Sequence, residues 1–256
     1  MRKLTVLLAA AVTLVAMAVA GSALAGKPGP NPCSTGTLNS GAYGGFTVSG
    51  TCFVAASANV TINGNLKLAE DAVFRGMFVA GTLHVTGNVK VDEGAILGLG
   101  YGTTVVVDGN IKADEPKSLY IGEMTVHGNV DSNGGGTADR FYNFPIKDNT
   151  IDGNLKLHGW HGGWIGAIRN TVGGNVDFSD NASVVEIADA AACGGTFPAG
   201  CAAVPGTDGD SSEVQTNIIS GNLKCHGNTP VAQVNPNDGG QLNTVTGNKK
   251  GECAGL

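Results

Sequence analysis

The chain has 256 residues, 41 of them Gly; 42% are apolar, 5% aromatic and 14% charged, against about 25% charged in an ordinary globular protein. The apolar share excludes disorder, the scarcity of rings argues against an enzyme core built on Phe, Tyr and Trp, and glycines without a three-residue period exclude collagen. A formal charge of −6 makes the chain a poor partner for nucleic acid.

Residues 1–25 read as a secretory signal peptide. Arg2 and Lys3 precede an apolar run from Leu4 to Ala20, and Ser22-Ala23-Leu24-Ala25 closes it with an A-x-A cleavage pattern. The competing reading is an uncleaved membrane anchor, because the run is nearly long enough to span. Cleavage removes two positive charges and no acid, so the formal charge moves from −6 to −8. No later segment is long and apolar enough to cross a bilayer, so no membrane association is expected after cleavage. Residues 26–32 form a short linker.

From residue 33 the chain repeats itself. A β-branched residue, any residue, Gly, Asn and usually an aliphatic residue occur eight times, around Gly64, Gly87, Gly109, Gly128, Gly153, Gly174, Gly221 and Gly247. The spacings are 23, 22, 19, 25, 21, 47 and 26 residues. Leucine-rich repeats share this period but need a denser Leu pattern and a helix per unit. The pattern predicts an all-β, single-domain parallel β-solenoid (β-helix) over residues 33–256, of about eight coils with a period of about 22–25 residues, rising ~4.8 Å per coil. Gly-Asn is expected at a bend, since both residues tolerate left-handed backbone angles, and stacked Asn amides are expected to form a ladder.

Two residues before the Gly stand Ile62, Val85, Val107, Val126, Ile151, Val172, Ile219 and Val245. Two after it stand Leu66, Val89, Ile111, Val130, Leu155, Val176, Leu223 and, breaking the pattern, Lys249. Both columns are predicted to point inward. Three after it stand Lys67, Lys90, Lys112, Asp131, Lys156, Asp177, Lys224 and Lys250, predicted to face solvent by strand alternation. Residues 192–212, rich in Gly, Ala and Pro, make the 47-residue interval one coil with a loop insertion.

Six cysteines in an exported chain suggest disulfides, with fifteen possible pairings. Repeat register narrows them: Cys225 and Cys253 fall one coil apart, Cys193 and Cys201 bracket the insertion, and Cys33 and Cys52 staple the first coil. Zinc is disfavoured because no CxxC occurs and the histidines lack ligand spacing. No cofactor is expected.

Chemistry is sparse. His158 to Gly166 holds both Trp residues, and Phe141, Tyr142 and Phe144 lie in the preceding coil. The plainer reading is that these rings pack against irregular turns; the sharper one makes Tyr142, Trp160, His161 and Trp164 contacts for a sugar chain. No pair of carboxyl groups suited to glycoside cleavage is legible, so no catalytic residue is assigned. His158 and His226 share a polar-turn column without an evident carboxylate partner, which disfavours a general base. Lysines and acidic residues climb the rod together, so neither polyanion nor calcium binding is favoured, and Thr61, Thr125, Thr150, Thr171 and Thr244 form too broken a column for ice binding.

With these motifs in view, the chain resembles a group of small exported actinobacterial proteins of unknown function. They share a signal peptide, an N-terminal Cys-containing coil, Gly-Asn repeats and an ending like Ser220-Gly221-Asn222-Leu223-Lys224-Cys225 followed by Asn248-Lys249-Lys250-Gly251-Glu252-Cys253. Bactofilins are similar in repeat style only, lacking the signal peptide and the cysteines. The resemblance implies no activity. The expectation is a secreted, extracellular or cell-wall-associated protein, structural or interactive rather than enzymatic, with a cell-wall glycan or cell-surface protein as partner; the alternative is a polysaccharide lyase or hydrolase of β-helix type. End-to-end stacking is disfavoured by the terminal disulfides and by Lys249 and Lys250.

Overall fold

The computed structural model describes residues 33, 36–136, 144–183, 212–234 and 239–256. The proposed signal peptide, the linker, Tyr142 and the Cys193/Cys201 pair lie outside them. Within them the chain is a parallel β-solenoid of about eight turns, in which 22 strands form one continuous hydrogen-bonded sheet.

Each turn has three short faces. The first holds the residues just after Gly-Asn: Leu66 pairs with Val89, Val89 with Ile111, Ile111 with Val130, Val130 with Leu155, Leu155 with Val176, Val176 with Leu223 and Leu223 with Lys249. The second runs through Cys52, Phe74, Leu97 and Leu119. The third holds the residues just before Gly-Asn, from Tyr43 and Ile62 to Ile219 and Val245. Alternation drives the packing. Ile62, Val85, Val107, Val126, Ile151 and Val172 are fully buried, whereas Lys90, Lys112, Lys224 and Lys250 project to solvent.

Register also resolves the long interval. Val172 pairs directly with Ile219 and Val176 with Leu223, so the 47-residue spacing is a single turn. At the other end the structure adds a rung that the motif does not mark: Tyr43 pairs with Ile62 and Phe46 with Leu66, with Gly44-Gly45 at the bend. Gly45 lies so near the Asn65 backbone that a Cβ would come within 2.8 Å of its nitrogen.

The Gly-Asn corner forms the expected ladder, for a different reason at Gly. Asn88 donates to Asn65 Oδ1 from its backbone at 2.8 Å, and the pattern continues through Asn110, Asn129, Asn154, Asn175, Asn222 and Asn248. Among the eight repeat glycines only Gly64 has a positive φ, and none of the ladder asparagines does. Close stacking excludes a side chain instead: a Cβ on Gly109 would sit 2.7 Å from the Gly87 carbonyl oxygen and 2.6 Å from Asn88 Oδ1. Left-handed residues occupy the other two corners, as at Asp71, Gly94, Gly159 and Asp180 after the first face.

Both described ends are stapled. Cys33 is bonded to Cys52 and Cys225 to Cys253, with Cα separations of 5.5 and 5.2 Å. A short 3-10 turn, Glu252–Gly255, closes the last rung and buries Cys253.

Candidate aromatic groove

The outward column of the second face builds an unusual surface. Phe53, Arg75, Gly98 and Tyr120 occupy four successive rungs in register, spanning roughly 14 Å at normal strand spacing. The glycine matters because it removes a side chain between Arg75 and Tyr120. Met77 lies across that gap, and a methyl on Gly98 would run into its sulfur. Together with Phe78 these residues line a groove of about 480 Å³.

The rings are presented, not packed away. Phe53 is 43% exposed and Phe78 72%. Phe78 adopts a φ of 60° and Tyr101, one turn later, 49°. Left-handed backbone is costly for bulky side chains, and here it turns the Phe78 ring outward and lays the Tyr101 ring over Gly122 at the corner after the second face. They touch, with centroids 5.6 Å apart, and Lys147 Nζ lies 5.4 Å from the Tyr101 centroid. Burial of the Tyr101 phenol, reinforced by the negative charge of Asp148 and Glu123, holds its pKa well above the usual tyrosine range. The phenol therefore keeps its proton and remains a neutral hydrogen-bonding group.

Among the described residues, Arg75 is the only charged one lining the groove. It is exposed and forms no ion pair among the described residues. Several other cations are compensated between or within turns: Lys67 and Lys90 meet Asp92 at 3.0 and 2.9 Å, Lys112 meets Asp114 at 3.3 Å, and Arg169 holds Asp148 through two hydrogen bonds of 2.6 and 2.7 Å.

The ligand-contact residues suggested by the sequence do not assemble into a comparable surface. Trp160 is fully buried, so its ring offers no face to a ligand. Its column explains the burial: Trp160 donates its backbone N–H to Asn181 Oδ1 at 3.0 Å, and Asn181 bonds in turn to Asn228, all three facing inward. His161 is exposed and pairs with Ala182 in a separate two-stranded ribbon. Trp164 lies over Gly166 and donates its indole N–H to the buried Glu213 at 3.0 Å.

The histidine column differs from expectation too. A carboxylate is present: Asp180 Oδ2 lies 3.3 Å from His158 Nδ1 and 3.6 Å from His226 Nε2. Ser179 Oγ lies 3.2 Å from the same His158 Nδ1. A serine–histidine–aspartate relay needs the serine and the carboxylate on opposite ring nitrogens, so the cluster is an ion-pair column, not an assembled nucleophile. No group of three or more His, Cys, Asp or Glu suited to a metal ion occurs among the described residues.

The chain matches no protein-family model, no curated protein and no solved structure.

Proposed function

We propose that the protein is an exported interaction module that holds a polysaccharide chain of the cell wall or extracellular matrix in the groove of Phe53, Phe78 and Tyr120, without cleaving it. The observation that carries this reading is the exposure of aromatic rings along a shallow, rigid groove. Pyranose rings present apolar C–H faces that stack on aromatic side chains, and a preorganised platform loses little entropy on binding. The two terminal disulfides support an oxidising, extracytoplasmic compartment. The same rigidity suits a structural role, in which the rod displays its faces at fixed spacing.

Sedimentation with insoluble glycans, followed by analysis of the supernatant, tests the proposal. Retention of the protein without new reducing or unsaturated ends is the expected result, and Phe78→Ala or Tyr120→Ala should weaken retention several-fold. Reproducible product release lost in His161→Ala would replace the reading with a glycan-cleaving enzyme. Absence of retention on every glycan would replace it with a cell-surface protein as partner.

A further inference from the structure

We infer that the groove selects a carboxylate-bearing polysaccharide, a chain of uronic-acid type, with Arg75 reading the acid and the flanking rings carrying the sugar faces. This inference rests on the reading of the groove as a glycan site and adds the class of sugar.

Charge bookkeeping along the rod supports it. The protein is acidic overall, at −6, and the lysines that have an ion-pair partner, Lys67, Lys90, Lys112, Lys156 and Lys224, lie on the first face. Arg75 departs from that pattern. It stands on the second face with Phe53 one rung below, and with Gly98 and then Tyr120 above. Among the described residues no carboxylate lines the groove with it. A guanidinium without an ion-pair partner, set between aromatic platforms, presents a planar fork of N–H donors that matches a carboxylate in two parallel hydrogen bonds. A neutral glucan would fill the same space but leave that fork to water.

Gly98 supplies the geometry. Having no side chain, it is covered by Met77, so the floor between Arg75 and Tyr120 is low and apolar and a sugar ring seated towards Tyr120 can bring a substituent alongside the guanidinium. Salt should weaken the interaction only partly, since stacking contributes independently of charge.

Affinity electrophoresis of the intact protein in gels containing polygalacturonate, alginate, fully methyl-esterified polygalacturonate or a neutral β-glucan tests the inference. Retardation by at least one of the two acidic polymers is expected. Methyl-esterified polygalacturonate and the β-glucan should bind at least about tenfold more weakly, the scale of a charge-assisted hydrogen-bonded pair. Arg75→Gln should lose that discrimination, and Arg75→Lys should recover part of it, because a point charge replaces the fork. Gly98→Leu should block binding by displacing Met77 into the groove, while Lys90→Gln on the first face should change nothing. Arg75 is exposed, so its variants keep the fold, checked by an unchanged circular dichroism spectrum.

Equal retardation by esterified and acidic polymer, unchanged in Arg75→Gln, overturns the inference and leaves glycan binding standing. Retardation by acidic polymer that survives Arg75→Gln but disappears in Lys90→Gln also overturns it, placing the contact on the lysine face. No retardation in any gel overturns both the inference and the proposed function.

Discussion

The two halves of the rod turn the same corner with different chemistry. Between the second and third faces, four residues before the repeat Gly, the early turns place Val60, Leu83, Val105 and Met124, all buried. At the same offset the later turns place Asn149, Asn170, Asn217 and Asn243, also buried. In two early turns the strand runs around or close to the corner without a break, Ile96–Val107 and Ser118–Val126, while in the other two it stops at Val54 and Met77 and resumes at Asn59 and Thr82. The later turns all stop, leaving two-residue strands such as Thr150–Ile151 and Thr171–Val172. In these later turns the amide serves the freed groups. Asn170 Nδ2 donates to the Ile146 carbonyl at 2.8 Å and to Asn217 Oδ1 at 3.1 Å, while its own Oδ1 accepts from Asn149 Nδ2 at 2.9 Å. A narrow solenoid thus has two ways to fill the inside of a bend: with an apolar side chain, or with a stacked amide that satisfies the freed backbone groups.

The sharpest test of this contrast removes one rung from the buried ladder. Asn170→Ala strands the Ile146 carbonyl and the donors of Asn149 in the interior, while Asn217 Oδ1 keeps only the backbone N–H of residue 170. With each orphaned buried group costing about 1–3 kcal/mol, a loss of about 3–5 kcal/mol is expected in urea unfolding. Asn110→Ala, in the exposed Gly-Asn ladder, should cost only about 1 kcal/mol because water replaces the amide. Equal losses at the two positions would show that burial does not distinguish the ladders. The reciprocal change, Val105→Asn, places an amide between Leu83 and Met124, where no ladder partner waits, and should destabilise as well.

This division bears on what could be read from the amino-acid order. The Gly-Asn columns are legible because every copy keeps its offsets. The buried ladder has an equally fixed offset, but only half the turns carry Asn there, so a search for a motif common to all turns passes over it. Trp160 shows a different difficulty. Its neighbours His161 and Trp164 suggest a surface cluster, yet one residue decides which way a side chain points, and Trp160 falls on the inward corner with Asn181 and Asn228. The groove was hidden for a third reason. Its residues are more than twenty positions apart, one member is the side chain that Gly98 lacks, and Phe78 and Tyr101 depend on left-handed backbone that the sequence does not announce.

The rod ends sharpen the comparison next. Reducing Cys225–Cys253, or replacing both with Ser, should lower stability by about 3–4 kcal/mol, as the chain-entropy relation gives for a separation of 28 residues. Loss of Cys33–Cys52, with a separation of 19, should cost slightly less. Hydrogen exchange separates the two: each reduction should free the amides of its own terminal turn first. A uniform rise along the rod would mean that the turns do not fray locally.

A smaller, pH-dependent effect belongs to the end of a third amide column. Glu252 stands where another Asn would follow Asn181 and Asn228, accepting from Asn228 N at 3.0 Å and Asn228 Nδ2 at 2.7 Å. Burial pushes its pKa up, but hydrogen bonds from Asn228, Ala232 and Gly227 outweigh burial and hold it below the usual carboxylate value. A depressed pKa contributes stability that is present above the unfolded value of about 4.3 and lost as pH falls through the folded one. The C-terminal turn should therefore loosen in acid. Glu252→Gln should be less stable at neutral pH and lose this acid dependence; an unchanged acid response would assign it to another carboxylate.

The smallest effect sets an exposed pair against the buried ladders. His127 Nδ1 meets Asp152 across one turn at 2.7 Å, and both side chains are about half exposed. The hydrogen bond to Asp152 is the main cause that raises the His127 pKa, with burial opposing it and the charges of Asp152 and Asp108 adding to it. Here the sign is reversed. The pair's contribution is complete below the unfolded His value of about 6.5 and fades as pH rises through the folded one. By NMR, the His127 ring should titrate above that value, and Asp152→Asn should bring it down. Raising salt should shrink the shift, because the Debye length is only about 8 Å at physiological ionic strength and exposed charges are screened. Neither salt nor pH in this range should alter the loss caused by Asn170→Ala, whose partners are neutral and enclosed; a salt-sensitive Asn170→Ala would mean that the buried ladder is not what closes the later turns.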